Sequence, residues 1–574
     1  MRNTLEAEDK MTTFYFKCIF VVIILAFVLL AVFFVSPLQA HASDVWTEIS
    51  AGGIHTIALK QDGTLSAWGW NTFGQLGLGD TTQRNTPVQV GSDTSWQSIS
   101  AGYYYTIALK QDGTLWAWGY NAYGQLGLGD TTNRNTPVQI GSDTNWQSIS
   151  AGGYHTLALK QDGTLWSWGN NGYGQLGLGD ITQRNTPTQI GSDTTWQVIS
   201  AGYDHTLALK QDGTLWAWGW NVYGQLGLGN TTDRNTPTQI GLGTNWQAIS
   251  AGEYHTLALK SDGTLSAWGR NNYGQLGLGD ITQRNTPVQV GSGTNWQAIS
   301  AGDSHTIALK QGGTLWAWGW NSNGQLGLGD TANRNTPTQV GSGTTWQAIS
   351  TGAAHTLALK SDDSLWVWGY NIYGQLGLGD TTNRNTPTQI ISTPTLTTLP
   401  ASSITRTTTT LNGNITATGG ADATEHGFSY GTVFDLSTII ATSTLGAFSG
   451  TGAFTENLTN LNPDTTYYYR AYTTNVAGTS TGSILRFDTP SITQGGGPLT
   501  SPVTSPVAPP DCSLKADLNN VCKIDLTDFS IASYRWLKRP MDNPFISVEA
   551  AKLNADGTIN LTDFSIMAYY WTGE

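Results

Sequence analysis

Six histidines recur in one context: His55, His155, His205, His255, His305 and His355 each open a run of the form His-Thr-Leu/Ile-Ala-Leu-Lys. Imidazole ligates metals and moves protons near neutral pH. Here the spacing argues against both roles. The histidines stand at multiples of fifty residues, so they are equivalent positions of a repeat, and Tyr105 replaces the imidazole in the second copy. Hydrogen bonding inside each repeating unit is the expected role. Asp80, Asp130, Asp180, Asp280, Asp330 and Asp380 form a second series, which Asn230 interrupts. An aspartate there suits a side chain bonding its own turn, and paired-carboxylate catalysis is not expected. The glycines of "GQLGLG" suggest a nucleotide loop, but no helix signature follows them and the phosphate-loop lysine motif is absent. No serine or cysteine triad is recognisable. The expectation is a protein that binds and does not catalyse.

The positions that change between copies are where binding chemistry is expected, with drift of exposed loop positions or packing between blades as the alternative. One variable pair precedes the His-Thr element: Gly53-Ile54, Tyr103-Tyr104, Gly153-Tyr154, Tyr203-Asp204, Glu253-Tyr254, Asp303-Ser304 and Ala353-Ala354. The other brackets the Asn after Trp-Gly: Trp70/Thr72, Tyr120/Ala122, Asn170/Gly172, Trp220/Val222, Arg270/Asn272, Trp320/Ser322 and Tyr370/Ile372. Tyr and Trp give large contact area at little entropic cost. The candidate partner-binding set is therefore Trp70, Tyr103, Tyr104, Tyr120, Tyr154, Tyr203, Trp220, Tyr254, Arg270, Trp320 and Tyr370.

The elements that must position these side chains follow from the repeat itself. Trp46, Trp96, Trp146, Trp196, Trp246, Trp296 and Trp346 mark a period of fifty residues without insertions. Within each unit, runs such as "WQSIS", "HTLALK", "TLWAWG" and "TPTQI" read as strands, and "AG", "QDG", "GQLGLGD" and "RNTP" read as turns. Four short strands per unit and seven units predict a closed β-propeller over residues 44–391. A solenoid would need atypical end copies, and the end copies here resemble the middle ones. A "QDG" hairpin joins the second strand to the third, which brings both variable spots to one end of the blade. Binding is usually placed on loops of a rigid ring.

The shared pattern "HTLALKQDGTLWAWGYNxYGQLGLGD", in which x varies between copies, resembles the repeat of the regulator of chromosome condensation family, whose fold is a seven-bladed propeller. The family's best-known member is a nuclear exchange factor for a small GTPase. The uninterrupted repeats, the thin spread of Lys and Arg (27 against 40 Asp and Glu, net charge −13) and an apparent export signal do not favour that role here. The same charge balance excludes a phosphate-backbone footprint, so no nucleic-acid partner is expected. Secreted bacterial relatives of the fold are protein binders, including an inhibitor of β-lactamases, which implies an extracellular protein partner.

The remaining chain reads as four further pieces. Residues 1–42 form a signal peptide, with an apolar run Cys18 to Val35 and a cleavage site at Ala40-His41-Ala42; an uncleaved membrane anchor is the alternative. Met11 is a second possible start, because "MTTFYFK" makes a better basic end to the signal than the residues before it. Residues 395–489 alternate Thr with apolar residues, and "LNPDTTYYYRAYTTNVAGTSTG" resembles the end of a fibronectin type III β-sandwich, with Tyr467 as its corner tyrosine. Residues 491–510 are a Gly/Ser/Thr/Pro linker. The tail, 511–574, holds a second duplication: "IDLTDFSIASYRW" and "INLTDFSIMAYYW". Each copy is a loop end followed by an amphipathic helix, and the pair resembles a dockerin, a small α-helical calcium-loop module that binds cohesin domains. That resemblance implies oxygen ligands at Asp517, Asn519, Asp525 and Asp528 in the first loop and Asn554, Asp556, Asn560 and Asp563 in the second. Val521 and Lys552 stand where ligands are usual, so the first loop is expected to bind calcium more tightly. Cys512 and Cys522 are placed to form a disulfide in an exported chain, or to remain as two thiols.

The fold class expected is thus mainly β: a seven-bladed propeller, then a β-sandwich, then a small α-helical calcium-loop-type module. The function expected is an exported binding protein at the cell surface or beyond, docked through its tail to a cohesin-like domain on a scaffold. Inhibition of an extracellular enzyme and adhesion to glycans are the alternatives.

Overall fold

The computed structural model describes residues 45–491. These divide into two compact units, one ending at Ile391 and the other starting at Ser392. The expected signal peptide, nearly all of the expected linker, the expected helical tail with Cys512 and Cys522, and the eight calcium-ligand candidates lie outside the described residues.

The first unit is seven four-stranded antiparallel sheets, each built from one contiguous repeat. In the first blade the strands are Trp46–Ala51, His55–Lys60, Leu65–Gly69 and Arg84–Gln89, in that order across the sheet. The first strand is innermost, because the ends of its seven copies line the axial channel. The fourth is the outer edge. Its start differs from the sequence expectation, since "RNTP" is part of the strand and not a turn. Pro87 is tolerated because this strand pairs on one side only and its missing N–H breaks no ladder.

Blades are joined by an identical set of side-chain bonds at all seven junctions. The Gln75 carbonyl accepts from Trp118 Nε1 at 2.9 Å and from Thr106 Oγ1 at 3.0 Å, both in the next blade. Gln375 in the last blade accepts from Trp68 at 3.0 Å and Thr56 at 2.8 Å in the first. The ring therefore closes with the bonds it uses everywhere else. Trp68, Trp118, Trp168, Trp218, Trp268, Trp318 and Trp368 are fully buried, so each indole has its one polar atom satisfied inside an apolar seat. The invariance of "GQLGLG" follows from this seat. Gly77 has φ +72°, and a Cβ there would come within 2.8 Å of Trp118 Nε1.

The histidines correct one expectation. They bond between blades and not within them: His55 Nε2 meets Thr106 Oγ1 at 3.1 Å, and His355 Nε2 meets Thr56 Oγ1 at 3.2 Å across the closure. Each of these threonines spends its proton on a Gln carbonyl, so it accepts from the histidine Nε2–H. In the second blade Tyr105 reaches further and donates to the His155 carbonyl at 2.5 Å. The lysines are also structural. Lys110 lies 3.8 Å from the Trp116 ring centre and pairs with Asp93 at 2.5 Å. Asp80 bonds its own turn, accepting from the Thr82 amide at 2.9 Å and from Arg84 at 2.6 Å.

The second unit has a three-stranded sheet (Thr395–Ser402, Thr409–Ala417, Gly452–Leu458) and a five-stranded sheet (Ala423–Gly431, Ala441–Phe448, Thr466–Asn475, Gly478–Thr481, Leu485–Asp488). Both sheets contribute to one apolar core, which includes Leu411, Ile415, Phe428, Phe454, Tyr469 and Phe487. The Tyr467 hydroxyl accepts from the Asn462 amide at 2.9 Å, which pins the chain where it enters the long Thr466–Asn475 strand.

Burial lowers all six blade histidines from 6.5 to a pKa of about 3. A depressed histidine pKa means the unfolded chain takes up protons the folded ring refuses. Stability is then intact above pH 6.5 and falls below it, by up to ~8 kcal/mol per pH unit when all six act together. Circular dichroism followed from pH 7 downward should show cooperative loss of the sheets well above pH 3. His155→Tyr, which copies Tyr105, should move that midpoint to lower pH; an unmoved midpoint would refute the histidine origin.

The variable face of the propeller as a candidate binding site

Both variable spots emerge at the same end of each blade. The amide of Trp70, just past the third strand, donates to the Ile54 carbonyl, just before the second, at 3.0 Å, and Tyr120 and Tyr104 repeat this contact at 3.0 Å. The innermost loops pack tightly around the axis. A Cβ on Gly52 would lie 2.6 Å from the Gly102 carbonyl, so only glycine allows the inner strand ends to approach so closely.

On this base the aromatic side chains form one connected arc. Trp70 packs on Tyr104 at 5.1 Å between ring centres, Tyr120 on Tyr154 at 6.1 Å, Tyr154 on Tyr203 at 5.4 Å and Tyr203 on Tyr254 at 6.4 Å. Tyr103 joins Tyr104 at 4.6 Å and Tyr203 at 5.2 Å, and Trp220 joins Tyr254 at 5.2 Å. The Arg270 guanidinium carbon lies 5.3 Å from the Tyr254 ring centre. These side chains are half-buried, packed against neighbouring blades yet open on one side, while Thr72, Ala122, Gly172, Val222, Asn272, Ser322 and Ile372 stand exposed at the loop tips.

Trp320 and Tyr370 belong to the arc only through residues that sequence comparison passed over. Trp320 meets Tyr273 at 5.9 Å; Tyr370 meets Tyr373 at 6.2 Å, and Tyr373 meets Trp70 at 6.0 Å. Phe73, Tyr123, Tyr173 and Tyr223 complete this missed set, all making ring contacts within the arc. They precede "GQLGLG" and hardly vary, so they looked like part of the turn. The available signal was Asn323, the one copy without an aromatic ring there. Asn323, Ser304 and Ala354 leave the arc open between the sixth and seventh blades.

The channel mouth is electrically lopsided. Tyr103 and Tyr203 line it on one side, Glu253 and Asp303 on the other. Asp303 sits inside the mouth, walled by protein, and burial followed by the Glu253 charge holds its pKa well above the ordinary value. Glu253 is raised by burial, against the opposing pull of Tyr254 and Arg270. Asp204 is lifted to about 6 by burial and then Glu253, with the Gln175 amide bond opposing at 2.9 Å. Among the described residues no group of three or more His, Cys, Asp or Glu side chains is arranged to hold a metal ion. The arrangement offers stacking area and carboxylates, which suits recognition.

Comparison with known proteins agrees with this geometry. The sequence profile described as Regulator of chromosome condensation (RCC1) repeat matches seven segments: residues 62–109, 112–159, 162–209, 212–259, 262–309, 312–359 and 362–405. A second profile of that description matches seven times between residues 46 and 375. The chain belongs to the RCC1 repeat family. The ultraviolet-B receptor UVR8 of Arabidopsis thaliana is 44% identical over 50 residues, which is 9% of this chain and 11% of the receptor. Human WBSCR16 superposes with a TM-score of 0.52 at 25% identity, covering 58% of this chain and 96% of that one. Prp20p of Saccharomyces cerevisiae gives 0.53 at 22% identity, covering 62% and 89%, and its structure was described together with binding to Gsp1p and histones. At that identity the likeness shows the RCC1 propeller fold alone.

Raised carboxylate pKa values mean that ionising Glu253 and Asp303 costs stability as pH rises. Asp303→Asn should leave the melting temperature unchanged near pH 4 and raise stability at pH 8 by about 1 kcal/mol. Thermal melts at the two pH values check this, and an equal shift at both would exclude titration as the cause.

Proposed function

We propose that the aromatic face of this propeller holds a protein partner, and that the chain works without catalysing a reaction. The observation carrying this reading is the continuous arc of half-buried rings on a rigid ring, at positions that differ from blade to blade while the frame stays constant. Such surfaces combine preorganisation with aromatic anchors, the two properties that make hot spots. Solved relatives of the fold support the reading, since Prp20p has also been crystallised bound to Kap60.

The proposal extends to the rest of the chain. An exported protein is supported by the apolar run and small-residue motif of residues 1–42. The second unit is read as a fibronectin type III-like spacer, supported by its strand order and the Tyr467 corner bond. The duplicated tail would attach the protein to a scaffold or cell surface through calcium-stiffened loops, supported by its two oxygen-rich segments.

Replacing Trp220 and Trp320 together by Ala should weaken capture of the partner from culture medium by about 2–4 kcal/mol, roughly thirtyfold to several hundredfold. The far-ultraviolet circular dichroism and melting temperature should stay close to those of the parent. Undiminished capture by this folded variant would refute the face.

A further inference from the structure

Arg270 shows what the aromatic face can hold. Its guanidinium carbon lies 5.2 Å from the Tyr223 ring centre, 5.3 Å from Tyr254 and 5.9 Å from Tyr273. Three tyrosines thus surround one cation supplied by the chain itself. The third blade presents the same three tyrosines in the same repeat positions, Tyr123, Tyr154 and Tyr173, around Asn170. The walls match closely. Tyr223 and Tyr254 are 5.2 Å apart at 54°, Tyr123 and Tyr154 are 5.2 Å apart at 56°. Tyr273 leans on Trp320 at 5.9 Å and 36°, Tyr173 on Trp220 at 5.3 Å and 30°.

What differs is the occupant and one wall. Asn170 is too short to reach between the rings, and its Oδ1 folds back to accept the Gly172 amide at 3.1 Å. In the first, second and fourth blades the residue at this position leans on a ring of the following blade, as Trp70 does on Tyr104 and Trp220 on Tyr254. In the following blade here that position is Asp204, a buried carboxylate already fixed by Gln175. A slot with three tyrosine rings and a carboxylate complements a planar cation.

We propose that the Tyr123–Tyr154–Tyr173 slot of the third blade receives an arginine side chain of the protein partner, in the manner in which the fifth blade holds Arg270. This rests on the proposed role of the face and names its central contact. A guanidinium suits the slot better than an ammonium because it stacks flat on rings while its N–H groups still reach Asp204.

The test uses the full-length chain and the peptide acetyl-Gly-Arg-Gly-amide, with binding read by saturation-transfer NMR on the arginine side-chain protons. Saturable binding is expected, at least about tenfold weaker when citrulline replaces arginine and the charge is lost. Asn170→Arg should abolish the signal by filling the slot. Arg270→Asn should open a second but weaker slot, because Ser304 stands there in place of Asp204. Equal binding of the citrulline or lysine peptide, or an undiminished signal in Asn170→Arg, would overturn the assignment. If partner capture is lost in the Trp220/Trp320 variant but kept in Asn170→Arg, the slot is wrong and the face stands.

Discussion

The propeller depends on one carbonyl oxygen per blade. Each Gln carbonyl of the "GQLGLG" turn takes an indole N–H and a threonine hydroxyl from the neighbouring blade. A carbonyl has two lone pairs, and here both are used across the junction. The indole that donates is the largest fully buried side chain of its blade, so the polar bond and the apolar packing stabilise the same contact. Glycine at the facing position leaves room for that indole, and threonine passes the constraint on to histidine. Most of the invariant letters of the repeat are consequences of this one arrangement.

Because the junctions carry the stability, the loops at one end of the blades are free to differ. Their side chains are still not independent of one another. They interlock across junctions into an arc, so the same geometry that holds the ring together fixes the spacing of its aromatic anchors. A rigid frame lowers the entropic cost of presenting those rings to a partner. The acidic side chains at the channel mouth stand on one side of the axis, where Tyr103 and Tyr203 are replaced by Glu253 and Asp303.

Much of the fold was legible because a fifty-residue period with four β-prone runs admits few architectures. Turn residues and strand periodicity located the hairpins, and hence the common end of the two variable spots. The histidines' direction was not legible: a side chain at the first position of a strand points toward whichever sheet lies beside it, and only the ring decides which. The outer strand was misread at "RNTP" because proline usually marks a break, whereas an edge strand has no need of that N–H. Tyr123, Tyr173, Tyr223 and Tyr273 were hidden by their constancy, since a search for variation discards fixed positions. Their role appears only when the varying neighbours are seen packed against them.

The closure between the last and first blades uses no borrowed strand. Each sheet is a single continuous repeat, and Gln375 grips Trp68 as any other blade grips its successor. The circle consequently has no privileged seam. Its chain could enter at any blade boundary, and the order of sectors around the axis could be permuted by recombination between near-identical copies without rebuilding a clasp. That freedom would let such a gene reshuffle which side chains stand next to one another on the rim while the hoop beneath them stays as it is.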